Sequence, residues 1–285
     1  MSNFTIITDS GCDLSPELLE RWGVGCVDFT FRFDEREYGN RDMEPAEFYR
    51  RMRGGGVAHT SAANLAAFRA AFLSELTARR DILYLGFSSS LSNSVSIAQA
   101  AARELCEEFP NRRIIALDTL CGSAGLGLLV YLCVGERATG ASLTETARFA
   151  AQKAPTICHW FTVDDLCYLR RGGRISAATA LAGSLLHVKP VLHMDDAGRL
   201  TSVRKVRGRK QAIGALAERY FDTAADVRGT YFISHGDCPD DASALEQLIY
   251  VRTGRRAARI CDIGAVIGAH SGPGTLALFY IGNQR

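Results

Sequence analysis

Seven residues rich in hydroxyl side chains, 88–94, form the stretch of this sequence best suited to bind an anion. They follow an apolar run, residues 82–87, that predicts a buried strand, and they precede a helical pattern over residues 95–105. Free N–H groups and the positive end of a helix dipole meet at such a junction, and hydroxyls add donors without adding charge. Serine and asparagine are also common N-cap residues, so the stretch is either an anion site or a helix cap.

His270 is a second candidate for ligand binding. Residues 264–274 are interpreted as a loop, because three glycines and a proline lie within four residues of His270. Glycine lets the backbone approach a ligand closely, and the imidazole would then donate a hydrogen bond or a charge to an acidic ligand. The alternative is a solvated loop histidine. A hydrolase built from Ser92, His270 and an aspartate is also conceivable, although the sequence lacks a G-x-S-x-G elbow.

Asp9 and Ser10 follow the first predicted strand, residues 4–8, at a position where some phosphotransferases carry a nucleophile. The other loop motifs of that chemistry are missing, so we favour an Asx turn in which Asp9 accepts hydrogen bonds from the following backbone. Residues 59–64 are a second hydroxyl-rich helix start. Neither G-x-G-x-x-G after the first strand nor G-x-x-x-x-G-K-[ST] occurs, so a dinucleotide or ATP site lacks its usual signature.

Positive charge is concentrated in residues 164–210, which contain ten Lys or Arg against four Asp. Arg170, Arg171 and Arg174 surround two glycines, and a second group follows a predicted hairpin. The segment is either a solvated basic face or a surface that binds an acidic partner or phosphate. The net charge of the whole chain is only +2, which argues against a dedicated nucleic-acid-binding protein.

Composition sets the remaining limits. No run of 18 apolar residues occurs, and the first residues lack the pattern of a signal peptide, so we expect no membrane span and a cytoplasmic location. Nine cysteines are scattered without a C-x-x-C pair, which predicts reduced thiols and no zinc site.

Strand–turn–helix units repeat through the first half of the chain and predict a mainly parallel sheet covered by helices on both faces. In such sheets ligands bind at the carboxyl ends of the strands, where the candidate turns gather. The pattern changes near residue 157, where we place a domain boundary. The second half predicts a strand from residue 157, a helix over 175–186, a hairpin turning at 195–199 and two apolar strands near the end.

An ordered set of motifs resembles the DegV family, bacterial fatty acid-binding proteins. The set spans essentially the whole chain, and it is specific as a set although each motif is weak alone. In this sequence the motifs read TIITDS at 5–10, TS at 60–61, SSSLS at 88–92, DT at 118–119, LRRGGRI at 169–175, KP at 189–190, KVRG at 205–208 and HSGPG at 270–274.

The resemblance implies a two-domain α/β fold, with an N-terminal mainly parallel α/β/α domain at 1–157 and a C-terminal α/β domain at 158–285. A long-chain fatty acid would lie in a tunnel between the domains. The chain would be the non-catalytic acyl-binding subunit of a fatty acid kinase. A separate dihydroxyacetone-kinase-like protein would hold ATP and phosphorylate the carboxylate, so this chain would need no cofactor or metal.

Carried over by position, Ser92 would bond the carboxylate, Thr60 and His270 would complete the polar network, and Ser61 is a weaker candidate. The arginines near the tunnel mouth would face the kinase or the new phosphate; they are Arg170, Arg171, Arg174, Arg204 and Arg207. The family often has Thr-Ser-Gln-Pro-Ser where this chain has residues 60–64, and Leu-Ser-Gly-Thr where it has residues 91–94. The sequence therefore departs from the family at 62–64 and 93–94. Both departures adjoin the head-group site, so a carrier of another acidic lipid without a kinase partner is the alternative.

Overall fold

The computed structural model describes residues 4–176, 188–283 and 285. Its strands are β1 (Phe4–Asp9), β2 (Val24–Val27), β3 (Thr30–Phe33), β4 (Arg36–Gly39), β5 (Ala58–Ser61), β6 (Asp81–Phe87), β7 (Ile114–Cys121), β8 (Ile157–Thr162), β9 (Val188–Met194), β10 (Leu200–Arg207), β11 (Tyr231–His235), β12 (Arg259–Asp262) and β13 (Leu276–Ile281). Its helices are α1 (Pro16–Arg21), α2 (Pro45–Arg53), α3 (Leu65–Thr77), α4 (Ser94–Glu108), α5 (Ser123–Ala138), α6 (Leu143–Lys153), α7 (Cys167–Arg171), α8 (Arg209–Thr223), α9 (Pro239–Thr253) and α10 (Ala265–Ser271).

The first sheet is parallel throughout, in the order β2-β1-β6-β7. Helices α3 and α4 pack side by side against it, and so do α5 and α6. Strands β1 and β6 are buried along nearly their whole length, because a parallel sheet with covered faces excludes water from both sides. The repeated strand–turn–helix pattern predicted this sheet, and the structure confirms it.

The second sheet is mostly antiparallel and has the order β10-β9-β8-β13-β11-β12. Only the pair β11 and β12 is parallel. The predicted hairpin is present as β9 and β10, and Gly198 supplies the turn with a φ of 73°. Helix α8 packs against β8 and β9, and α9 packs against β11. This sheet begins with β8 at Ile157, although the proposed division of the chain near residue 157 stays a prediction.

Helix α5 joins the two sheets. It contacts β1, β6 and β7 of the parallel sheet and β8, β11 and β13 of the second sheet. Residues 124–130 of this helix are all buried, which agrees with its continuous apolar sequence. A helix that is apolar all round its axis is a buried helix, and here both of its faces meet a sheet.

A third, three-stranded sheet has the order β4-β3-β5 and is antiparallel. Residues 24–31 read as a single strand in the sequence, but the structure divides them between two sheets. The chain leaves the parallel sheet after Val27 and begins β3 of the small sheet at Thr30. The buried side chains of Phe31 and Phe33 alternate along β3 and pack on Phe48 of α2. This part of the chain therefore joins a separate, small core instead of extending β2.

The interpretation of residues 264–274 as a loop is also wrong. Ala265–Ser271 is helix α10, and only its flanks are irregular. Its buried residues include Ala265 and Ala269, four apart on one helical face, and that face packs on the small sheet and α2. The glycines concealed this pattern. The helix predicted over residues 175–186 lies largely outside the described residues.

Candidate functional site

A cavity of about 520 Å³ lies where the carboxyl ends of the parallel strands face the second sheet and helix α10. Its volume falls within the ~300–1,000 Å³ of typical small-molecule sites. Much of its wall is apolar, contributed by Phe29, Phe87, Phe161, Phe279, Val266 and Ile267. These residues come from five separate parts of the chain, and the sequence alone gave no means of assigning them.

The four residues expected to bind a carboxylate, Thr60, Ser61, Ser92 and His270, all line this cavity. Thr60 Oγ1 lies 2.7 Å from His270 Nε2, although the two residues are 210 positions apart. Ser61 is exposed, whereas the other three are partly buried. The cavity wall therefore carries four side chains that can form hydrogen bonds, two of which contact each other, on an otherwise largely apolar wall.

The serine-rich turn after β6 leads into α4 and lines the cavity, and its N-cap residue, Asn93, makes no side-chain capping bond. Ser92 Oγ lies 2.6 Å from Ser94 Oγ and accepts a hydrogen bond from Ser94 N at the start of α4. Asp118 Oδ1 in neighbouring β7 accepts a hydrogen bond from Ser89 N, and Thr119 Oγ1 donates one to Gly86 O. Side-chain bonds therefore hold this turn in place while several of its residues line the cavity. Its interpretation as an anion site stays a prediction.

The ring of His270 is neutral at neutral pH. Burial lowers its pKa to about 4, and the positive charge of Arg174 acts in the same direction. Its Nδ1 is buried and has no hydrogen-bond partner among the residues that the structure describes. A Cβ added at Gly172 would lie only 2.1 Å from this atom, so a glycine there allows α7 to approach the imidazole. The ring therefore offers hydrogen bonds rather than a permanent charge.

A smaller cavity of about 150 Å³ adjoins the large one and shares Thr60, Arg174 and His270 with it. Arg171 also lines the smaller cavity. Arg174 Nε donates to Leu91 O at 3.1 Å, which ties this guanidinium to the serine-rich turn. Two of the predicted arginines thus share a cavity with Thr60 and His270.

The other basic residues have different surroundings. Arg170, Arg204 and Arg207 line neither of these two cavities, and Arg204 is paired with Glu218 in an exposed contact of 3.4 Å. Lys189 and Arg209 both bond Asp164, so part of the basic segment is used within the fold. A role for the exposed arginines in binding a partner stays a prediction.

Two buried side chains near the cavity, those of Asp9 and His159, have their hydrogen-bond partners within the fold. Asp9 forms the expected Asx turn, since its Oδ1 accepts a hydrogen bond from Gly11 N at 3.1 Å. His159 is a satisfied core histidine, with Nδ1 bonded to Ile157 O and Nε2 accepting from Gly122 N. Burial lowers the pKa of His159 to about 3, so this ring is neutral as well.

The hairpin β9–β10 reaches across to the serine-rich turn. Ser88 Oγ donates to Gly198 O at 3.0 Å, and Ser90 Oγ donates to Ala197 O at 2.5 Å. Gly198 has positive φ, and a Cβ there would lie 2.4 Å from Ser88 Oγ. This contact fixes the turn against the second sheet and requires glycine at position 198.

We expect Gly198→Ala to destabilise the protein by about 1 kcal/mol more than Gly254→Ala, as measured by chemical denaturation. Both glycines have similar positive φ, 73° and 68°, so both substitutions carry the same left-handed backbone strain. Nothing lies within 4 Å of a Cβ at Gly254, whereas the one at Gly198 breaks the bond from Ser88. Equal losses for the two variants would show that the contact with Ser88 contributes nothing.

Within residues 4–176 and 188–283, no helix has the length and apolar character required to cross a bilayer. Across the same ranges, no cluster of three or more His, Cys, Asp or Glu side chains is arranged to hold a metal ion.

Comparison with known proteins gives a consistent result. The DegV family, described as uncharacterised proteins, matches residues 3–283. A DegV domain-containing protein of Clostridium perfringens is 37% identical, and the match covers 100% of this chain and 99% of the relative. A DegV family protein from Thermus thermophilus, described as binding fatty acid, superimposes with a TM-score of 0.86 at 28% identity, covering 98% of this chain and 99% of that one.

A Thermotoga maritima protein, whose structure is described as revealing a fatty acid-binding function, has a TM-score of 0.83 at 26% identity. That match covers 98% of this chain and 99% of the other. The mixed α/β architecture, with its parallel sheet and further sheets, is the one shared by these structures. The chain belongs to the DegV family.

Proposed function

We propose that this protein binds one long-chain fatty acid in the 520 Å³ cavity, with the carboxylate held by Ser92, Thr60 and His270. The observation that carries the proposal is the 2.7 Å contact between Thr60 Oγ1 and His270 Nε2 on the wall of a largely apolar cavity. Ser61 would be a secondary contact. The fatty acids bound by the Thermus and Thermotoga relatives support the same class of ligand.

The size of the cavity fits a chain of this class. At about 520 Å³ the cavity lies within the ~300–1,000 Å³ of pockets that bury most of the surface of a drug-sized ligand. Burying a chain of ~16 carbons at ~0.8 kcal/mol per CH₂ gives on the order of 10 kcal/mol of gross driving force. That exceeds the cost of one buried, hydrogen-bonded carboxylate, so we expect the ligand to remain bound through purification.

We further propose that the bound carboxylate is presented to a separate ATP-dependent kinase of the dihydroxyacetone-kinase-like class. A carboxylate oxygen would attack the terminal phosphorus of ATP on that partner, and the bond to ADP would break to leave an acyl-phosphate. Neutral donors suit this step because they hold the carboxylate without the charge of a salt bridge. Arg171 and Arg174, in the adjoining small cavity, would then face the new phosphate.

In this scheme the chain itself needs neither a catalytic residue nor a cofactor. Its two proposed domains, residues 1–157 and 158–285, would enclose the ligand between them. No disulfide joins any of the nine cysteines, all of which lie in the described part of the chain, and this supports a reducing compartment such as the cytoplasm. The departures at residues 62 and 93 bring Ala62 and Asn93 to the cavity wall, and they favour a second candidate, a carrier of another acidic lipid.

Native mass spectrometry of freshly purified protein, followed by organic extraction, tests the proposal. We expect one added mass that extracts as a long-chain fatty acid. A ligand-free mass, with no uptake of added oleate or palmitate, would contradict fatty acid binding. A bound fatty acid that no dihydroxyacetone-kinase-like protein phosphorylates in the presence of ATP would favour the carrier, and cleavage of activated esters would indicate a hydrolase.

A further inference from the structure

The loop after β1 touches several walls of the cavity although it is distant from the head-group residues in sequence. Residues 9–13 are all buried. Three of their side chains each accept a hydrogen bond at 2.9 Å from the backbone N–H of a different segment. Asp9 Oδ2 accepts from Phe87, Ser10 Oγ accepts from Phe29, and Asp13 Oδ1 accepts from Gly264.

Each donor belongs to the cavity or immediately precedes part of it. Phe87 ends β6 just before the serine-rich turn, and Phe29 lies between the parallel sheet and the small sheet; both line the cavity. Gly264 precedes helix α10, which carries His270. One short loop therefore fixes the relative positions of three segments of the wall that are far apart in the sequence.

Asp13 makes the connection that reaches the second sheet. Ser123 Oγ, at the first residue of α5, donates to Asp13 Oδ2 at 2.5 Å and lies 3.1 Å from Ser234 Oγ in β11. The Asp13 carboxylate thus connects the start of α5 with the start of α10. Asp13 also has a positive φ of 51°, a conformation that aspartate, asparagine and glycine tolerate best.

The first turn of α10 depends on groups from outside the helix. Its N-cap residue is Gly264, which has no side chain to cap it. Asp13 accepts from Gly264 N, and Asn40 Oδ1 accepts from Val266 N at 2.9 Å. Asn40 Nδ2 also lies 3.5 Å from Ser10 O, so both groups connect α10 to the loop after β1.

The charge of Asp13 is not a source of stability. Burial raises its pKa to about 7, and the negative charge of Asp262 adds to the rise. A carboxylate buried without a cation is less favourable than a neutral amide of the same shape. The value of this side chain therefore lies in its position and its two acceptor atoms.

We propose that Asp13, with Asn40, is a positioning residue that holds helix α10 against the loops of the parallel sheet and so places His270 beside Thr60. This inference rests on the proposed function, because its main effect is measured through fatty acid binding. It assigns a role to the Asp–Ser–x–Cys–Asp stretch that follows the first strand, which is otherwise distant from the ligand.

Two substitutions of Asp13 test whether the hydrogen bond that it accepts from Gly264 N is what matters. Asp13→Gly removes the carboxylate but tolerates the positive φ, and Asp13→Asn retains an acceptor for Gly264 N. We expect oleate affinity to fall by about 10-fold in Asp13→Gly and to stay within ~3-fold of the wild type in Asp13→Asn. Amide hydrogen exchange at Gly264 and Val266 should accelerate in ligand-free Asp13→Gly only.

Ser15→Ala provides the control for general loss of stability. Ser15 caps α1 through Leu18 N and is exposed, so its loss should lower stability without changing oleate affinity. Wild-type affinity and wild-type exchange in folded Asp13→Gly would overturn the inference. If that variant does not fold, Asn40→Ala decides by the same two readouts. Failure of the wild type to bind oleate would instead contradict the proposed function, and exchange at α10 would still test the role of Asp13.

Discussion

Thr60→Val is expected to weaken fatty acid binding by about 10- to 100-fold. Valine keeps the shape of threonine but removes the hydroxyl that lies 2.7 Å from His270 Nε2. The variant loses a donor to the carboxylate and leaves a ring nitrogen without its partner in a largely buried site. A hydrogen bond to a charged group contributes about 1.5–3 kcal/mol, which corresponds to this range of affinity. Displacement of a fluorescent fatty acid measures it.

Ser61→Ala is the matched control for that substitution. Ser61 is the next residue of β5 and lines the same cavity, but it is exposed and water can replace its hydroxyl. We expect the fatty acid affinity of Ser61→Ala to stay within ~3-fold of the wild type, because water solvates an exposed group that has no protein partner. A long-chain alcohol should discriminate less between the wild type and Thr60→Val than the fatty acid does. Wild-type affinity in Thr60→Val would remove the Thr60–His270 pair from the binding site.

The parts of the site that could be predicted from sequence are those whose residues all belong to one strand–turn–helix unit. The apolar run of β6, the serines after it and the start of α4 occur together in the chain, so their spacing placed the hydroxyls at the carboxyl end of a parallel strand. Asp118 and Thr119 lie at the equivalent end of β7, but their hydrogen bonds to Ser89 N and Gly86 O became visible only in the structure.

The parts that could not be predicted depend on contacts between distant segments. Helix α10 appeared to be a loop because its glycines obscured the helical spacing, and its start is held by Asp13 and Asn40 rather than by a cap in its own sequence. The run 24–31 divides between two sheets because Phe31 packs in the separate small core. The local periodicity of a segment does not show which distant residues it will contact, neither those that hold α10 nor those that pack on Phe31.

The glycines of α5 are a further example of what the sequence does not show. Only the folded structure shows which of them has neighbours too close to admit a side chain. Gly125 lies where the helix crosses the second sheet, and a Cβ there would be 2.2 Å from His159 Nε2 and 2.8 Å from Phe279 Cδ1. These two rings pack edge to face at 5.4 Å and both line the cavity. His159 is held by Ile157 O and Gly122 N, so the ring has little freedom to move away.

We therefore expect Gly125→Ala to destabilise the protein by about 2–3 kcal/mol through overpacking, and to weaken fatty acid binding by displacing the two rings. Gly135→Ala in the same helix should instead stabilise the protein. Nothing lies within 4 Å of a Cβ at Gly135, and alanine is favoured over glycine in a helix by about 0.5–1 kcal/mol. Urea denaturation of both variants measures the difference. Equal or greater stability of Gly125→Ala would mean that α5 does not pack closely on His159, and the cavity wall described above would then be wrong at this point.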